Sequence, residues 1–517
     1  MKKTSVIPIL TGLFLFCFSC ADQKTTISLP RSTPEAEGVS SRAILTFLDS
    51  AKAGRHEFHS FMFLRHGKVI AEGWWNPYAP ELKHTLYSTS KSFTSTAIGL
   101  AVKEKLLSLE DNVISFFPEY LPDSVSNYLA SLKIKHLLTM SAGQMKEPPM
   151  DSDEWIRAFL ETPVVREPGT IYRYSSMASF ILSAIIQKVT GQRVIDYLSP
   201  RLFVPLGIED ADWETNPEGI NTGGWGLRLK TEDLAKLGQL YLQKGIWNGK
   251  QILSSEWVEE ATSLKIHQNP ELTDEQRASL NDAVQGYCYQ FWRAKNNSYM
   301  ANGAFGQFIL VIPDKDAVIV FTAESPDMWG ELDMVWKYLY PGITHNALPP
   351  DKRSEEELKQ RLASLSLPLP DKTANEALSS KLSGRLIIFP ENQKKIESMS
   401  LGFSNDICHL KINTDTAAYE IDFAAGKWLY GETLRHGPSI FEHAKGSLQG
   451  LPPFKIAGTF SWPDENTLEL TLRYIENCHS EKLIFHFEEM DKNIIRTDLK
   501  SSIPPGNRIV KLEGSVK

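Results

Sequence analysis

Two spacings of hydrophobic residues alternate along the first 345 residues and predict a mixture of strands and helices. Apolar residues that recur at three- and four-residue steps predict four helices. One covers 40–53, one begins at 88, one ends at Gly191, and one covers 231–244. Short apolar runs separated by turn residues predict strands over 60–65, 68–75, 287–292, 308–312 and 317–322. Strands at both ends with helices between them predict an α+β domain whose sheet joins early and late strands.

The pattern changes in the last third of the chain. Residues 346–375 are rich in proline and charge, with one short helix near 354–365, and are interpreted as a linker. Beyond them, apolar and polar residues alternate strictly over 467–474 and similarly over 483–487, which is typical of half-buried antiparallel strands. A chain of 517 residues exceeds the size of one ordinary core. We therefore expect a first domain over 31–345 and a small all-β domain over 376–517.

The N-terminus carries a pattern typical of export. Two lysines precede an apolar run over 6–18, and small residues follow it. Cys20 at this boundary resembles the lipid-attachment cysteine of bacterial lipoproteins, although Cys17 stands where such signals usually have leucine. We expect residues 1–20 to be a lipoprotein-type signal peptide and 21–30 a tether. The resemblance implies an exported protein of the bacterial periplasm or cell envelope, held to the membrane through lipid on Cys20.

Composition narrows the choice of partners. The net charge is −8 and no basic run offers phosphate contacts, so a nucleic-acid partner is not expected. Five cysteines are too few for a disulfide framework, and their spacing with histidines suggests neither a metal site nor a cofactor. Cys408 and Cys478 lie in the C-terminal region, where they either pair in an oxidising compartment or remain two separate buried thiols.

Candidate chemistry begins at Ser88, which stands at the start of a predicted helix. Lys91 follows three residues later, and side chains at this spacing share one helix face. The serine is either an N-cap or a nucleophile, since a hydroxyl becomes nucleophilic when a neighbouring base takes its proton. Lysine acts as such a base when burial or another cation disfavours its charge.

Two further motifs follow in order and give the chain a family resemblance. Tyr174 and Ser176 lie just before a predicted helix, and 301–304 precedes the late hairpin. The chain resembles the serine β-lactamase and penicillin-binding-protein superfamily over about 31–345, and most closely the β-lactamase-related esterases and small-amide hydrolases. The resemblance implies a β-lactamase/transpeptidase-like fold, with an antiparallel sheet flanked by helices and a helical subdomain. The supporting flanks are 137–143, 167–170, 224–226 and 303–307.

The resemblance also implies a role for individual residues. Ser88 is the acylated nucleophile, Lys91 its partner, and Tyr174 the general base or proton shuttle. The backbone N–H groups of Ser88 and Ala304 form the oxyanion hole. The residues implied in substrate binding are Ser176, Asn302, Gly303 and Gln307.

Two positions depart from the family pattern. The third motif usually opens with lysine or histidine, which binds a carboxylate in β-lactams and D-Ala-D-Ala peptides, whereas this chain has Ala301. Ser176 takes the place of the usual asparagine. Gln307 and Arg228 are candidates to replace the missing cation, or else structural hydrogen-bonding residues. The loss of the cation favours a neutral ester or amide as substrate.

These observations predict an exported serine hydrolase that acts through an acyl-enzyme on a small ester or amide. The alternatives are a D-stereospecific peptidase or β-lactamase, and a penicillin-binding sensor without turnover. No motif lies beyond residue 322, so the C-terminal domain is expected to be dispensable for the chemistry.

Overall fold

The computed structural model describes residues 28–54, 56–503 and 509–517. The predicted signal peptide with Cys20, and most of the predicted tether, lie outside these residues. Among the described residues, no helix is both long and apolar enough to span a membrane.

Helices and strands alternate in the first part of the described chain, and strands dominate the last part. The helices are α1 (Ser41–Ala53), α2 (Ser90–Lys103), α3 (Asn127–Ala130), α4 (Ile134–Leu138), α5 (Trp155–Glu161), α6 (Ser176–Thr190), α7 (Val194–Leu198), α8 (Val204–Leu206), α9 (Thr231–Leu242), α10 (Ser255–Thr262), α11 (Asp274–Ser279), α12 (Met328–Met334), α13 (Lys352–Ala363) and α14 (Glu376–Leu382). The strands up to residue 324 are β1 (Glu57–Arg65), β2 (Lys68–Trp74), β3 (His84–Thr85), β4 (Asp212–Trp213), β5 (Leu227–Leu229), β6 (Ile246–Trp247), β7 (Lys250–Gln251), β8 (Trp292–Arg293), β9 (Tyr299–Gly303), β10 (Gln307–Ile312) and β11 (Ala317–Glu324). The remaining strands are β12 (Leu386–Ile388), β13 (Ile396–Ser404), β14 (Ile407–Thr414), β15 (Ala418–Ala425), β16 (Leu429–Thr433), β17 (Phe454–Asp464), β18 (Thr467–Tyr474), β19 (Ser480–His486), β20 (Ile494–Ser501) and β21 (Ile509–Val516).

The first domain is built on a six-stranded antiparallel sheet in the order β2-β1-β11-β10-β9-β8. Early strands therefore pair with late ones, and the expected α+β class is confirmed. Both faces of the sheet are covered by helices, which explains why β1 is buried along nearly its whole length. Phe61 and Phe63 pack into the cluster that includes α1 and α12, whereas Met62 and Leu64 pack into the cluster that includes α2 and α6.

The helix that follows Ser88 is buried almost completely. Its residues from Ser90 to Ala101 are all buried, because α2 lies between the sheet and the helices of the subdomain that includes α6. Helix α6 begins at Ser176, after Ser175 accepts a hydrogen bond from the backbone N–H of Ala178, and it ends at Gly191 in the left-handed conformation. These two helices fix the positions of the first two motifs.

The strand predicted over 287–292 is wrong for most of its length, since only Trp292–Arg293 is extended and paired as β8. The Gln290 backbone is left-handed, with φ of 61°. The N–H groups of Tyr289 and Gln290 donate to the carbonyls of Ala261 and Leu138 rather than to a neighbouring strand. The alternating aromatic residues of this segment pack against several elements. This packing overrides their preference for strands.

The segment interpreted as a linker is packed against the first domain rather than extended. Its helix α13 lies beside β2, and a Cβ atom on Gly73 would come within 2.6 Å of Leu365. Asn76 donates to the Leu365 carbonyl and accepts from the N–H of Leu367, at 3.1 and 2.9 Å. This segment therefore covers part of β2.

The C-terminal strands close into a nine-stranded barrel, so the expected all-β domain is confirmed. The ring runs β15-β14-β13-β12-β21-β20-β19-β18-β17, and β17 pairs back on β15 in parallel at Ala424 with Thr459. Strand β16 pairs with the first half of β17 and adds a tenth strand. The predicted alternation over 467–474 coincides with β18. Cys408 and Cys478 are separate buried thiols, which is the second of the two alternatives.

The barrel contacts the first domain through several polar and aromatic side chains. The Arg473 guanidinium lies 2.6 Å from Glu57 Oε1, and the phenol of Tyr78 donates to the Asn477 carbonyl at 3.1 Å. The loop 434–453 between β16 and β17 reaches further, where Phe441 stacks on Trp225 with ring centroids 4.0 Å apart. The barrel is therefore in direct contact with the segment that precedes β5.

Candidate active site

Ser88 lies in a single 3₁₀ turn, Tyr87–Thr89, immediately before α2. It is half-buried at the end of the long buried helix. The preceding residue, Tyr87, has φ of 44°, a conformation that a bulky side chain adopts only when surrounding contacts hold it there. The turn therefore holds the Ser88 hydroxyl in a fixed position. A serine that served only as an N-cap would not require the unusual Tyr87 backbone.

The side chain of Lys91 points back to Ser88 and is 1% exposed. Its Nζ atom lies 3.1 Å from Ser88 Oγ, 3.2 Å from Ser176 Oγ and 2.6 Å from the Gly224 carbonyl oxygen. Burial lowers the pKa of Lys91 to about 7, and the carboxylate of Glu147 opposes that shift. A large fraction of this amine is therefore neutral near pH 7 and able to accept a proton.

Tyr174 completes the group from the loop before α6. Its ring centroid lies 4.9 Å from Lys91 Nζ. Desolvation raises the pKa of Tyr174 above its ordinary value, and the Ser88 side chain near the phenol opposes this only in part. The rings of Tyr287 and Trp292 pack beside it at 6.3 and 5.9 Å. Tyr174 therefore remains a protonated phenol at neutral pH.

The third motif comes close to the Ser88 turn at Gly303. A Cβ atom at this position would lie 2.2 Å from the Leu86 carbonyl oxygen, so only glycine allows the approach. The Thr89 hydroxyl donates to the Gln307 carbonyl at 2.8 Å and joins the same two turns. Ala304, which is half-buried, follows directly after this contact.

The structure places some predicted residues away from any open site. Gln307 is fully buried, and its side-chain amide donates to the carbonyls of Ala304 and Ala323, so it braces the turn between β9 and β10. Arg228 is paired with Asp212 and lies 3.4 Å from Glu476 of the barrel. Neither side chain is available to replace the missing cation, and substrate contact by Gln307 does not fit this placement.

Ala301 and Asn302 differ in their surroundings. Ala301 is 1% exposed and belongs to the apolar core beside α2. The Asn302 side-chain nitrogen is buried, and none of the described residues accepts a hydrogen bond from it. This amide is therefore an unused donor in the third motif. Ser176, expected to contact substrate, lies within hydrogen-bond distance of Lys91.

Comparison with known proteins identifies the family. A β-lactamase family profile matches residues 54–333. The chain belongs to the β-lactamase family. It is similar to the 6-aminohexanoate-dimer hydrolase of Paenarthrobacter ureafaciens, with 27% identity over 52% of this chain and 73% of that protein. It is also 28% identical to the D-aminopeptidase of Brucella anthropi, over 29% of this chain and 31% of that one. Both of these relatives are, by their names, enzymes that hydrolyse amide or peptide bonds.

Solved structures of low sequence identity also match the chain. The octameric penicillin-binding protein homologue from Pyrococcus abyssi is matched over 91% of this chain and 99% of its own, with 17% identity and a TM-score of 0.44.

Sequence reasoning missed the residues that the barrel brings to this β-lactamase-family site. Phe441 stacks on Trp225, the neighbour of Gly224, and His479 lies 2.6 Å from the Tyr87 hydroxyl. Both lie more than 200 residues after their partners, and no short spacing or motif marks such pairs. These contacts place barrel residues beside the Ser88 turn and Gly224, and the expectation that the barrel is dispensable for the chemistry stays a prediction.

Proposed function

We propose that this protein is a serine hydrolase that cleaves a small ester or amide through an acyl-enzyme. The observation that carries the proposal is the 3.1 Å separation of Lys91 Nζ and Ser88 Oγ, together with a buried amine whose pKa is lowered to about 7. A base with a pKa near the working pH is the most effective general base. Ser88 is then the nucleophile.

The proposed reaction has two halves. Neutral Lys91 takes the Ser88 proton while Oγ forms a bond to the acyl carbon, and negative charge develops on the carbonyl oxygen. The N–H groups of Ser88 and Ala304 are the proposed donors to that oxygen. When the tetrahedral intermediate collapses, the bond to the leaving group breaks and Lys91 returns a proton to it through Tyr174. Water then attacks the acyl-enzyme with the same groups in reverse roles, which releases the acid and restores Ser88.

Tyr174 is assigned the relay rather than the first deprotonation. Its raised pKa keeps the phenol protonated, so it can give one proton while it receives another, whereas the phenolate is costly in this apolar surrounding. The Lys91 ammonium formed in the first half lies 4.9 Å from the Tyr174 ring centroid, where the aromatic face stabilises a cation.

A neutral acyl group is the proposed substrate class. Ala301 replaces the cation that would hold a carboxylate, and Arg228 is engaged in ion pairs. The 27% identical relative is, by its name, a hydrolase of the 6-aminohexanoate dimer, which supports activity on a linear amide or on the related ester. Asn302 and Ser176 are the proposed polar contacts to the substrate. Asn302 adjoins Gly303, where the third motif lies against the Ser88 turn. We further propose that the protein is exported and held at the membrane through lipid on Cys20.

The experiment that tests the reaction uses a fluorophosphonate probe on the full chain. Wild-type protein is expected to be labelled and Ser88→Ala is not. Ser90→Ala, a serine of the same motif whose hydroxyl accepts from the Leu227 N–H, is the matched control and should still be labelled. Lys91→Ala should lower turnover about a hundredfold or more. Labelling of Ser88→Ala would overturn the assignment of the nucleophile.

A substrate panel separates the alternatives. Short neutral esters should have a higher kcat/KM than a D-amino-acid amide or a cephalosporin. A preference for the D-amino-acid amide or the cephalosporin would instead make the protein a D-stereospecific peptidase or β-lactamase. Stoichiometric labelling without turnover of any substrate would make it a penicillin-binding sensor.

A further inference from the structure

One histidine of the barrel touches both turns that form the proposed oxyanion hole. His479 lies between β18 and β19 and is fully buried. Its Nε2 atom is 2.6 Å from the hydroxyl of Tyr87, the residue before Ser88. Its ring packs edge-on against Phe305, the residue after Ala304, with centroids 4.8 Å apart.

The second ring nitrogen of His479 is anchored by the first domain. Nδ1 lies 2.6 Å from Glu324 Oε1, which also accepts a hydrogen bond from Ser502 at 2.6 Å. A carboxylate only accepts, so Nδ1 carries the hydrogen and Nε2 is free to accept from the Tyr87 phenol. Burial raises the pKa of Tyr87 well above its usual value, in agreement with a phenol that stays protonated and donates.

Tyr87 and Phe305, the two aromatic residues that His479 contacts in these turns, both have left-handed backbones. Tyr87 has φ of 44° and Phe305 has φ of 66°. Bulky residues in this region cost free energy, and their conformation persists only when neighbouring contacts over-determine it. The Tyr87 and Phe305 rings also pack together at 5.6 Å, so the histidine holds a pair of strained residues that flank the two proposed oxyanion donors.

We infer that His479 is a positioning residue: through Tyr87 and Phe305 it sets the distance between the backbone N–H groups of Ser88 and Ala304. The barrel thereby completes the active site without contacting the substrate. This inference rests on the proposed function, since it concerns the geometry in which Ser88 is acylated. An error of about 1 Å in such a geometry typically costs about a hundredfold in rate.

The test compares two tyrosines that make the same kind of contact across the same interface. Tyr87→Phe removes the hydroxyl that donates to His479. Tyr78→Phe removes the hydroxyl that donates to the Asn477 carbonyl at 3.1 Å, two residues before His479 and away from both turns. Each change deletes one buried oxygen, and each parent side chain is 4% exposed. Comparable losses of thermal stability are therefore expected.

The readouts are the rate constant for fluorophosphonate labelling, kcat and KM for a short ester, and Tm. We expect Tyr87→Phe and His479→Gln to lower the labelling rate and kcat about ten- to a hundredfold with little change in KM. Tyr78→Phe should keep wild-type rates. Tyr87→Phe deletes a single atom, so it remains informative if His479→Gln does not fold.

The outcomes separate this inference from the proposed function. Wild-type protein that is labelled at Ser88 while Tyr87→Phe reacts as fast as Tyr78→Phe would overturn the positioning role alone. Equal loss of rate in both variants would show that the interface only stabilises the fold and would also overturn it. Wild-type protein that is never labelled would overturn the proposed function and this inference with it.

Discussion

The carbonyl oxygen of Gly224 lies 2.6 Å from Lys91 Nζ, closer than Ser88 Oγ at 3.1 Å. A neutral amine has two hydrogens to donate and one lone pair. The Gly224 carbonyl and Ser176 Oγ can accept the two hydrogens, which leaves the lone pair for the Ser88 hydroxyl. The position of the Gly224 carbonyl therefore orients the proposed base as well as holding it.

The pH dependence of activity should report the ionisation of Lys91. The neutral amine is the active form, so kcat/KM for a short ester should rise with pH through about 7. The carboxylate of Glu147 favours the ammonium and raises this pKa, so Glu147→Gln should move the rise to lower pH. Glu161→Gln, an exposed glutamate without influence on Lys91, is the control. A rise that moves to higher pH in Glu147→Gln would contradict this assignment.

Gly303→Ala should impair activity more than stability. The new Cβ would lie 2.2 Å from the Leu86 carbonyl oxygen, so the third motif and the Ser88 turn must separate. We expect a loss in kcat of about a hundredfold. In Gly402→Ala, the new Cβ meets only ordinary contact at 3.7 Å from the His409 side chain, and kcat should be unchanged. Wild-type kcat in Gly303→Ala would show that the two turns need not approach so closely.

Phe441→Ala should affect both stability and catalysis. Loss of the stack on Trp225 is expected to destabilise the protein by about 1–3 kcal/mol, measured by denaturant unfolding. Because Trp225 adjoins Gly224, kcat should fall as well. Phe403→Ala removes a half-buried ring that packs on Trp462 inside the barrel, at 5.9 Å, and should lower stability without lowering kcat. An identical loss of kcat in both variants would assign the effect to barrel stability.

Cys20→Ser should release the protein from the membrane fraction when it is expressed in a bacterial host, because the serine hydroxyl does not receive the lipid. Cys17→Ser, three residues earlier, should leave the membrane association unchanged. The measurement is fractionation followed by detection of the full chain. Membrane association that persists in Cys20→Ser would exclude the lipid anchor and leave the export signal as a separate question.

Local patterns in the sequence predicted much of the fold. The late hairpin was expected over 308–312 and 317–322, and it occurs as β10 and β11 with one to two extra residues at the ends. The helix expected to end at Gly191 does so, since a left-handed glycine satisfies the last carbonyls. These features depend on residues a few positions apart, whose physical effects are visible in a single sequence.

Features that depend on distant partners were not predictable. The aromatic residues over 287–292 look like a strand because aromatic side chains favour strands, yet Tyr287 packs against Tyr172 and Tyr174 from another element. The contacts between the barrel and the Ser88 turn were missed for the same reason. His479 is an ordinary residue in a turn until the folded chain brings it to Tyr87, and nothing in its neighbourhood marks that contact.

The order of strands in the central sheet has a consequence for how the chain folds. The hydroxyls of Ser60 in β1 and Thr322 in β11 lie 2.7 Å apart, although 262 residues separate them in sequence. The hairpin of β1 and β2 can form early, but the other edge of β1 stays unpaired until β11 joins the sheet. Contacts of such long range slow folding, and an unpaired apolar strand edge promotes aggregation. Refolding from denaturant should therefore be slow and sensitive to protein concentration, with the β1 edge as the vulnerable surface.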